Sequence, residues 1–162
     1  MADVVELHPS IAILAPLLGS WVGRGSGEYP TIEPFSYTEE VSIGHIGKPF
    51  LTYSQRTRSE DGQPLHAETG YIRMPSPGRI ELVIAHPTGV AEVDEGSVAV
   101  TQVGLDLNVQ SSMIAATTSA KEVVALSRSI HISAGALSYT LQMAAVGLPL
   151  QHHLSATLYR QQ

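Results

Sequence analysis

Short segments in which apolar and polar residues alternate make up most of the chain after Trp21. In one of them, Ile80, Leu82, Ile84 and His86 fall on the same face, as in a strand that turns one side to a core. Turn-forming residues separate the segments about every 8 to 12 residues, and no convincing helical period returns between them. The pattern predicts an all-β fold of roughly ten strands.

The predicted strands begin with a segment around Trp21. The later ones cover residues 36–46, 49–58, 65–74, 80–86, 90–95, 98–103, 105–111, 123–132, 137–146 and 150–160, with a loop at 115–120. Before them, Ser10 is positioned to cap a short N-terminal helical turn, which Pro16 keeps short and Gly19 ends.

Sequential hairpins favour an antiparallel up-and-down barrel over a sandwich, and we expect residues 1–162 to form a single domain. A ten-stranded barrel encloses more volume than side chains readily fill, so it tends to hold a ligand.

Composition excludes several classes of partner. Hydrophobic residues are 43% and charged residues 15% of the chain, a balance that predicts a folded protein without a membrane span. The net charge is -6 and no basic cluster occurs, which argues against nucleic acid. There is no cysteine, and the opening segment carries Asp3 and Glu6 without a basic residue, so we expect a cytoplasmic protein rather than a secreted one.

Motifs of common hydrolases, zinc proteases and nucleotide-binding loops are absent from the sequence. Carboxylates are adjacent at Glu39 and Glu40 and at Asp94 and Glu95. Neighbours on a strand point to opposite faces, so neither pair predicts an acid/base site, and solvated charges are the more frequent role.

Seven histidines are the most unusual feature of the composition. Five are isolated and more often have surface or ordinary strand roles: His8, His45, His66, His86 and His131. His152 and His153 are adjacent on the last predicted strand, so one should face the cavity. One inward imidazole suits a haem iron, which needs a single strong axial ligand, although an ordinary strand histidine is the commoner case.

A second concentrated feature is the run Gly19, Trp21, Gly23 and Gly25. Glycines at alternate positions of a strand let another backbone or a flat ligand approach closely. We expect Trp21 to be a core residue at the closed end of the barrel.

These four residues resemble the opening motif of the nitrobindin family, and Tyr29-Pro30-Thr31-Ile32 is similar to the segment that follows it there. The segments 65–73 and 88–92 and the closing His153-Leu154 also stand in the family's order, so the resemblance runs from about Leu17 to Arg160.

The resemblance implies a ten-stranded barrel similar to fatty-acid-binding proteins and lipocalins, with one haem b per subunit held at one mouth. It implies His153 as the only axial ligand of the iron, Thr31 as a haem contact, and His66 as a lining residue on the opposite face of the porphyrin. It also implies reversible binding of nitric oxide and isomerisation of peroxynitrite to nitrate at ferric haem. A carrier of fatty acids or other apolar ligands is the alternative, and a homodimer stays open.

Strand parity partly conflicts with this assignment. His152, not His153, shares a face with Leu150, Leu154 and Leu158, which would turn His152 inward. A bulge after Pro149, or a closing strand with two apolar sides, would reconcile the two; we choose His153.

Overall fold

The structure, a computed structural model, describes residues 3–162 and consists of ten strands and one short helix. The strands are β1 (Gly19–Tyr29), β2 (Ile32–Gly44), β3 (Phe50–Arg58), β4 (Pro64–Ser76), β5 (Arg79–His86), β6 (Val90–Val100), β7 (Gly104–Ala116), β8 (Val123–Ser133), β9 (Ala136–Ala145) and β10 (Gln151–Arg160). Each pairs antiparallel with the next, and β10 pairs with β1 to close the barrel. The predicted fold class is confirmed.

Several predicted boundaries are wrong, most of all those of β6 and β7. Residues 90–95 and 98–103 belong largely to one strand, β6, because Gly96 does not end it. A Cβ at Gly96 would lie 1.9 Å from the carbonyl oxygen of Asn108 on β7, so glycine there permits a close strand pair. The predicted loop at 115–120 begins later, since β7 continues to Ala116.

The N-terminal turn is a 3₁₀ helix over Pro9–Leu17. The prediction that Ser10 caps it is wrong; the side chain of His8 instead accepts a hydrogen bond from the backbone N–H of Ser10, 3.2 Å away. Ile11 and Leu14 are fully buried, and the helix contacts β4 and β7. It therefore closes one end of the barrel.

Trp21 lies in the core at this closed end, as expected. Its side chain is fully buried, and its Nε1 donates a hydrogen bond to the carbonyl oxygen of Leu17 at 2.9 Å. Gly19, just before it, has a φ of +130°, which favours glycine where the helix turns into β1.

Close packing surrounds the next two glycines of the opening motif. A Cβ at Gly23 would lie 2.0 Å from the carbonyl oxygen of Thr157, and one at Gly25 would lie 2.4 Å from the ring of Tyr37. These glycines allow β10 and an inward aromatic ring to approach β1.

Within residues 3–162, no helix has the length and apolar character needed to cross a membrane.

Candidate functional site

The residues predicted to line a haem pocket lie at the end of the barrel opposite the 3₁₀ helix, which we call the mouth. Thr31 is in the turn between β1 and β2, His66 is near the start of β4, and His153 is near the start of β10. Because the strands run alternately up and down, these positions reach the same end. His86, at the end of β5, joins them there.

A β-bulge in β10 sets the orientation of the two adjacent histidines. His152 faces Gln142 on β9 and Leu154 faces Leu141, so His153 is an additional residue between two consecutive pairs. An additional residue breaks the alternation of faces along a strand. His152 is therefore exposed while Leu154 lines the interior, and the parity conflict seen in the sequence does not arise.

The ring of His153 is held by β1. Its Nδ1 lies 3.0 Å from the carbonyl oxygen of Glu28, and its ring meets the ring of Tyr29 edge to face at 5.4 Å. A carbonyl only accepts hydrogen bonds, so Nδ1 carries the proton and the lone pair of Nε2 is free. Burial lowers the pKa of His153, although the hydrogen bond to the Glu28 carbonyl opposes this. The lowered pKa favours the neutral imidazole, the form that can bind a metal.

His152 has a different environment. It is exposed and borders an open groove of about 330 Å³ that Ser26, Glu28, Pro34 and Phe35 also line. The two histidines can therefore be told apart by substitution.

Thr31 is the second residue of the two-residue turn Pro30–Thr31, and its side chain is exposed. Tyr29 and Ile32 pair across the turn. Thr31 thus extends from the same strand end that holds His153.

His66 begins a chain of hydrogen bonds that leads into the barrel. Its Nε2 lies 3.2 Å from Nδ1 of His86, and Nε2 of His86 lies 2.7 Å from Oε1 of Glu92. Glu92 is fully buried, and the two histidines are partly buried. Burial lowers the pKa of His66 more than nearby Glu68 raises it, so its neutral form is favoured.

The buried guanidinium of Arg128 contacts three carboxylates below the mouth. Arg128 Nη2 lies 2.5 Å from Oε1 of Glu92 and 3.3 Å from Oε2 of Glu68, and its Nε lies 3.5 Å from Oδ2 of Asp94. All three carboxylates are buried. We call Arg128, Glu68, Glu92 and Asp94 the charged layer.

Glu92 and Asp94 have opposite protonation behaviour. Burial alone would raise the pKa of Glu92, but Arg128 and the hydrogen bond from His86 lower it to about 2. Burial and the neighbouring Glu92 carboxylate raise the pKa of Asp94 to about 8. Near neutral pH the pair therefore holds one proton, on Asp94.

A second polar group lies beside the charged layer. Glu39 accepts a hydrogen bond from the hydroxyl of Tyr139 at 2.7 Å and one from Nε2 of Gln55 at 2.9 Å. The hydroxyl of Tyr37 lies 2.8 Å from that of Tyr139. Burial raises the pKa of Glu39 to about 7, although both hydrogen bonds oppose this.

The barrel interior holds a cavity of about 60 Å³. Its walls are mainly aliphatic, including Val41, Ile72 and Leu107, and Glu39, Glu68 and Arg128 also line it. This volume takes a few water molecules, whereas pockets for drug-sized ligands occupy about 300 to 1,000 Å³.

Comparison with known proteins decides the family. The sequence profile described as "THAP4-like, heme-binding beta-barrel domain" matches residues 10–160. The chain belongs to this haem-binding barrel family. The resemblance to nitrobindins is thereby confirmed, and haem is the family's cofactor.

Relatives within the family cover nearly the whole chain. "Peroxynitrite isomerase 1" of Mycolicibacterium paratuberculosis is 59% identical over 157 residues, which are 96% of this chain and 98% of that protein. "Peroxynitrite isomerase 2" of Mycobacterium avium is 58% identical over the same shares. The crystal structure of Rv2717c from M. tuberculosis has a TM-score of 0.94 and 53% identity, and the match covers 97% of this chain and 100% of that one.

Sequence reasoning missed the polar interior of this barrel. The adjacent pairs do separate as expected, because Glu39 and Asp94 are buried while Glu40 and Glu95 are exposed. The inward members, however, join Arg128 and Tyr139 instead of being solvated. The available signal was parity, since Arg128 lies on the same face of β8 as Leu126 and Ile130.

Proposed function

We propose that this chain binds one haem b at the mouth through His153, isomerises peroxynitrite to nitrate at the ferric haem, and binds nitric oxide reversibly. The observation that carries the proposal is the free Nε2 of His153, whose other ring nitrogen is engaged by Glu28. A neutral imidazole with its second nitrogen hydrogen-bonded to a carbonyl is the usual form of a histidine ligand. The names of the relatives support the reaction.

His153 would be the axial ligand, and its neighbours keep it ready. The Glu28 carbonyl fixes the tautomer and increases the basicity of Nε2, while the edge of Tyr29 restricts rotation of the ring. Thr31 would contact the porphyrin from the adjoining turn. When bound, haem supplies an open coordination position on iron, at which peroxynitrite can rearrange to nitrate.

His66 would line the distal pocket without ligating iron. Its hydrogen bond to His86 limits its ability to donate a hydrogen bond to a ligand in that pocket. Ionised Glu92 accepts a hydrogen bond from Nε2–H of His86, so Nδ1 of His86 has a lone pair and accepts a hydrogen bond from Nε2–H of His66. Neutral His66 then has no second N–H to donate. A pocket without a strong donor stabilises bound dioxygen poorly and favours nitric oxide.

A carrier of fatty acids is the weaker alternative. The interior cavity of about 60 Å³ is far below the volume of pockets for such ligands. Purified protein that is colourless and carries lipid would nevertheless favour the carrier.

The test is spectroscopic and chemical. Protein titrated with hemin should develop a Soret band that saturates at one haem per chain and shifts reversibly with nitric oxide. In stopped flow, the loaded protein should speed peroxynitrite decay and increase the yield of nitrate over nitrite. Loaded protein that leaves both the decay rate and the nitrate yield unchanged would refute the enzymatic part.

A further inference from the structure

Two histidines and a carboxylate converge below the mouth. His66 and Glu68 are two residues apart on β4, so their side chains share its inward face. Thr69 faces Ala85 on β5, and continuing that register by one residue brings Glu68 opposite His86. One ligand atom from each of His66, Glu68 and His86 lies within 4.8 Å of the other two.

We propose that His66, Glu68 and His86 form a second metal site, separate from the haem iron, for a divalent first-row transition metal ion such as Zn²⁺. Two imidazoles and one carboxylate are a donor set that binds such ions.

The distance between the imidazoles fits a metal as well as it fits a hydrogen bond. Zinc–nitrogen bonds of 2.0 to 2.1 Å put two nitrogens of a tetrahedral site about 3.3 Å apart. The Nε2 of His66 and the Nδ1 of His86 are 3.2 Å apart. A metal ion would take the place of the shared proton, and that proton would move to Nδ1 of His66, so that neutral His66 binds the ion through Nε2.

The surroundings also support a cation. Nε2 of His86 already bonds to Glu92, the carboxylate–histidine arrangement found around zinc ligands. Arg128 lies 3.3 Å from Oε2 of Glu68, so the carboxylate can turn Oε1 to the ion. Even with Asp94 protonated, Glu68 and Glu92 together outweigh the single charge of Arg128.

Three protein ligands leave a tetrahedral ion one open position, as in zinc sites that bind water or an exchangeable ligand. The site shares His66 with the proposed distal pocket, but it needs neither His153 nor Glu28, so metal binding can be measured whether or not the iron-ligand assignment holds.

Calorimetric titration of zinc chloride into chelator-treated, haem-loaded protein tests the proposal. We expect one Zn²⁺ per chain and loss of this binding in His86→Ala. Glu92→Gln keeps all three ligands and replaces only the carboxylate behind His86, so it should reduce the affinity for Zn²⁺ about 10- to 100-fold. His131→Ala is the matched control, since His131 is an exposed histidine that contacts Asp106 on the outer surface. It should bind Zn²⁺ like the wild type.

Crystals of the wild type soaked in Zn²⁺ give a second readout that needs no variant to fold. The difference between anomalous maps recorded just above and just below the zinc edge should show a peak between the three side chains and none at the haem iron. The proposal is overturned if the wild type takes up no Zn²⁺ or if the zinc peak lies only elsewhere in the crystal. Undiminished Zn²⁺ binding by a folded His86→Ala variant would also overturn it.

Discussion

Nδ1 of His153 lies 3.0 Å from the backbone carbonyl oxygen of Glu28, across the seam where β10 closes onto β1. The contact links the proposed iron ligand to the strand that precedes Thr31. It depends on the bulge at His153, because a regular strand would place His152 and Leu154 on one face.

Replacing this imidazole tests the ligand assignment. His153→Ala should lose most haem retention and nitrate formation while the barrel still folds, because the strand ladder does not need the imidazole. Soret absorbance after gel filtration and circular dichroism measure the two properties.

His152→Ala is the matched control and should keep both haem and activity, since His152 lies in the outer groove. If the two variants exchange behaviours, the ligand is His152. If both retain haem fully, haem binding by this strand is refuted.

The opening glycine motif gives a second prediction. Gly23→Val should lower the unfolding temperature or abolish folding, because its Cβ would lie 2.0 Å from Thr157 O and 2.7 Å from the Cα of Leu158. Backbone cannot yield as a flexible side chain does. Gly44→Ala is the control, since its Cβ would meet only Thr52 Oγ1, at 3.2 Å. Equal thermal unfolding and haem uptake of the Gly23 variant and the wild type would contradict this account.

His66 provides a third prediction. The resting haem spectrum of His66→Ala should equal that of the wild type, because we do not assign His66 as an iron ligand. The rates of ligand binding should change, because the substitution removes a polar residue that lines the pocket. Flash photolysis of the nitric oxide complex measures those rates. A wild-type spectrum with two histidine ligands would contradict the assignment.

The architecture was largely predictable because its cause is local. Alternation of polarity and turn residues report each strand directly, and hairpins between successive strands leave few other arrangements. Gly96 lies between the predicted strands 90–95 and 98–103, and glycine in a strand marks either a break or a close approach. Only the partner strand, at Asn108, decides which one applies.

The interior of the site could not be predicted in the same way. Glu92 and Arg128 are distant in sequence, and each alone is more often solvated. Their burial depends on meeting across β6, β7 and β8, which no local pattern encodes. A bulge after Pro149 is one of two arrangements that the sequence leaves open for His152 and His153, and the pairing with β9 decides for it, at His153.

Glu39 links this buried polarity to stability. Burial raises its pKa from the ordinary glutamate value of 4.5 to about 7 in the fold. Between these values the unfolded chain releases the proton and the folded chain keeps it, so the folded state binds more protons. The free energy of unfolding should therefore fall as pH rises from 4.5 to 7, by about 3 kcal/mol from this residue, and stay level above.

Glu39→Gln should remove that contribution, so its stability relative to the wild type should rise with pH across this window and then level off. The substitution is tolerable because Gln55 can pair with the new amide. Oε1 of Gln55 is buried without a hydrogen bond among the described residues. If the Gln55 amide rotates by half a turn, this oxygen can accept a hydrogen bond from the amide at position 39. Urea unfolding at a series of pH values measures the difference. Glu40→Gln is the adjacent, exposed control and should follow the wild-type profile. Parallel profiles for wild type and Glu39→Gln would mean that Glu39 is ionised in the fold throughout this range.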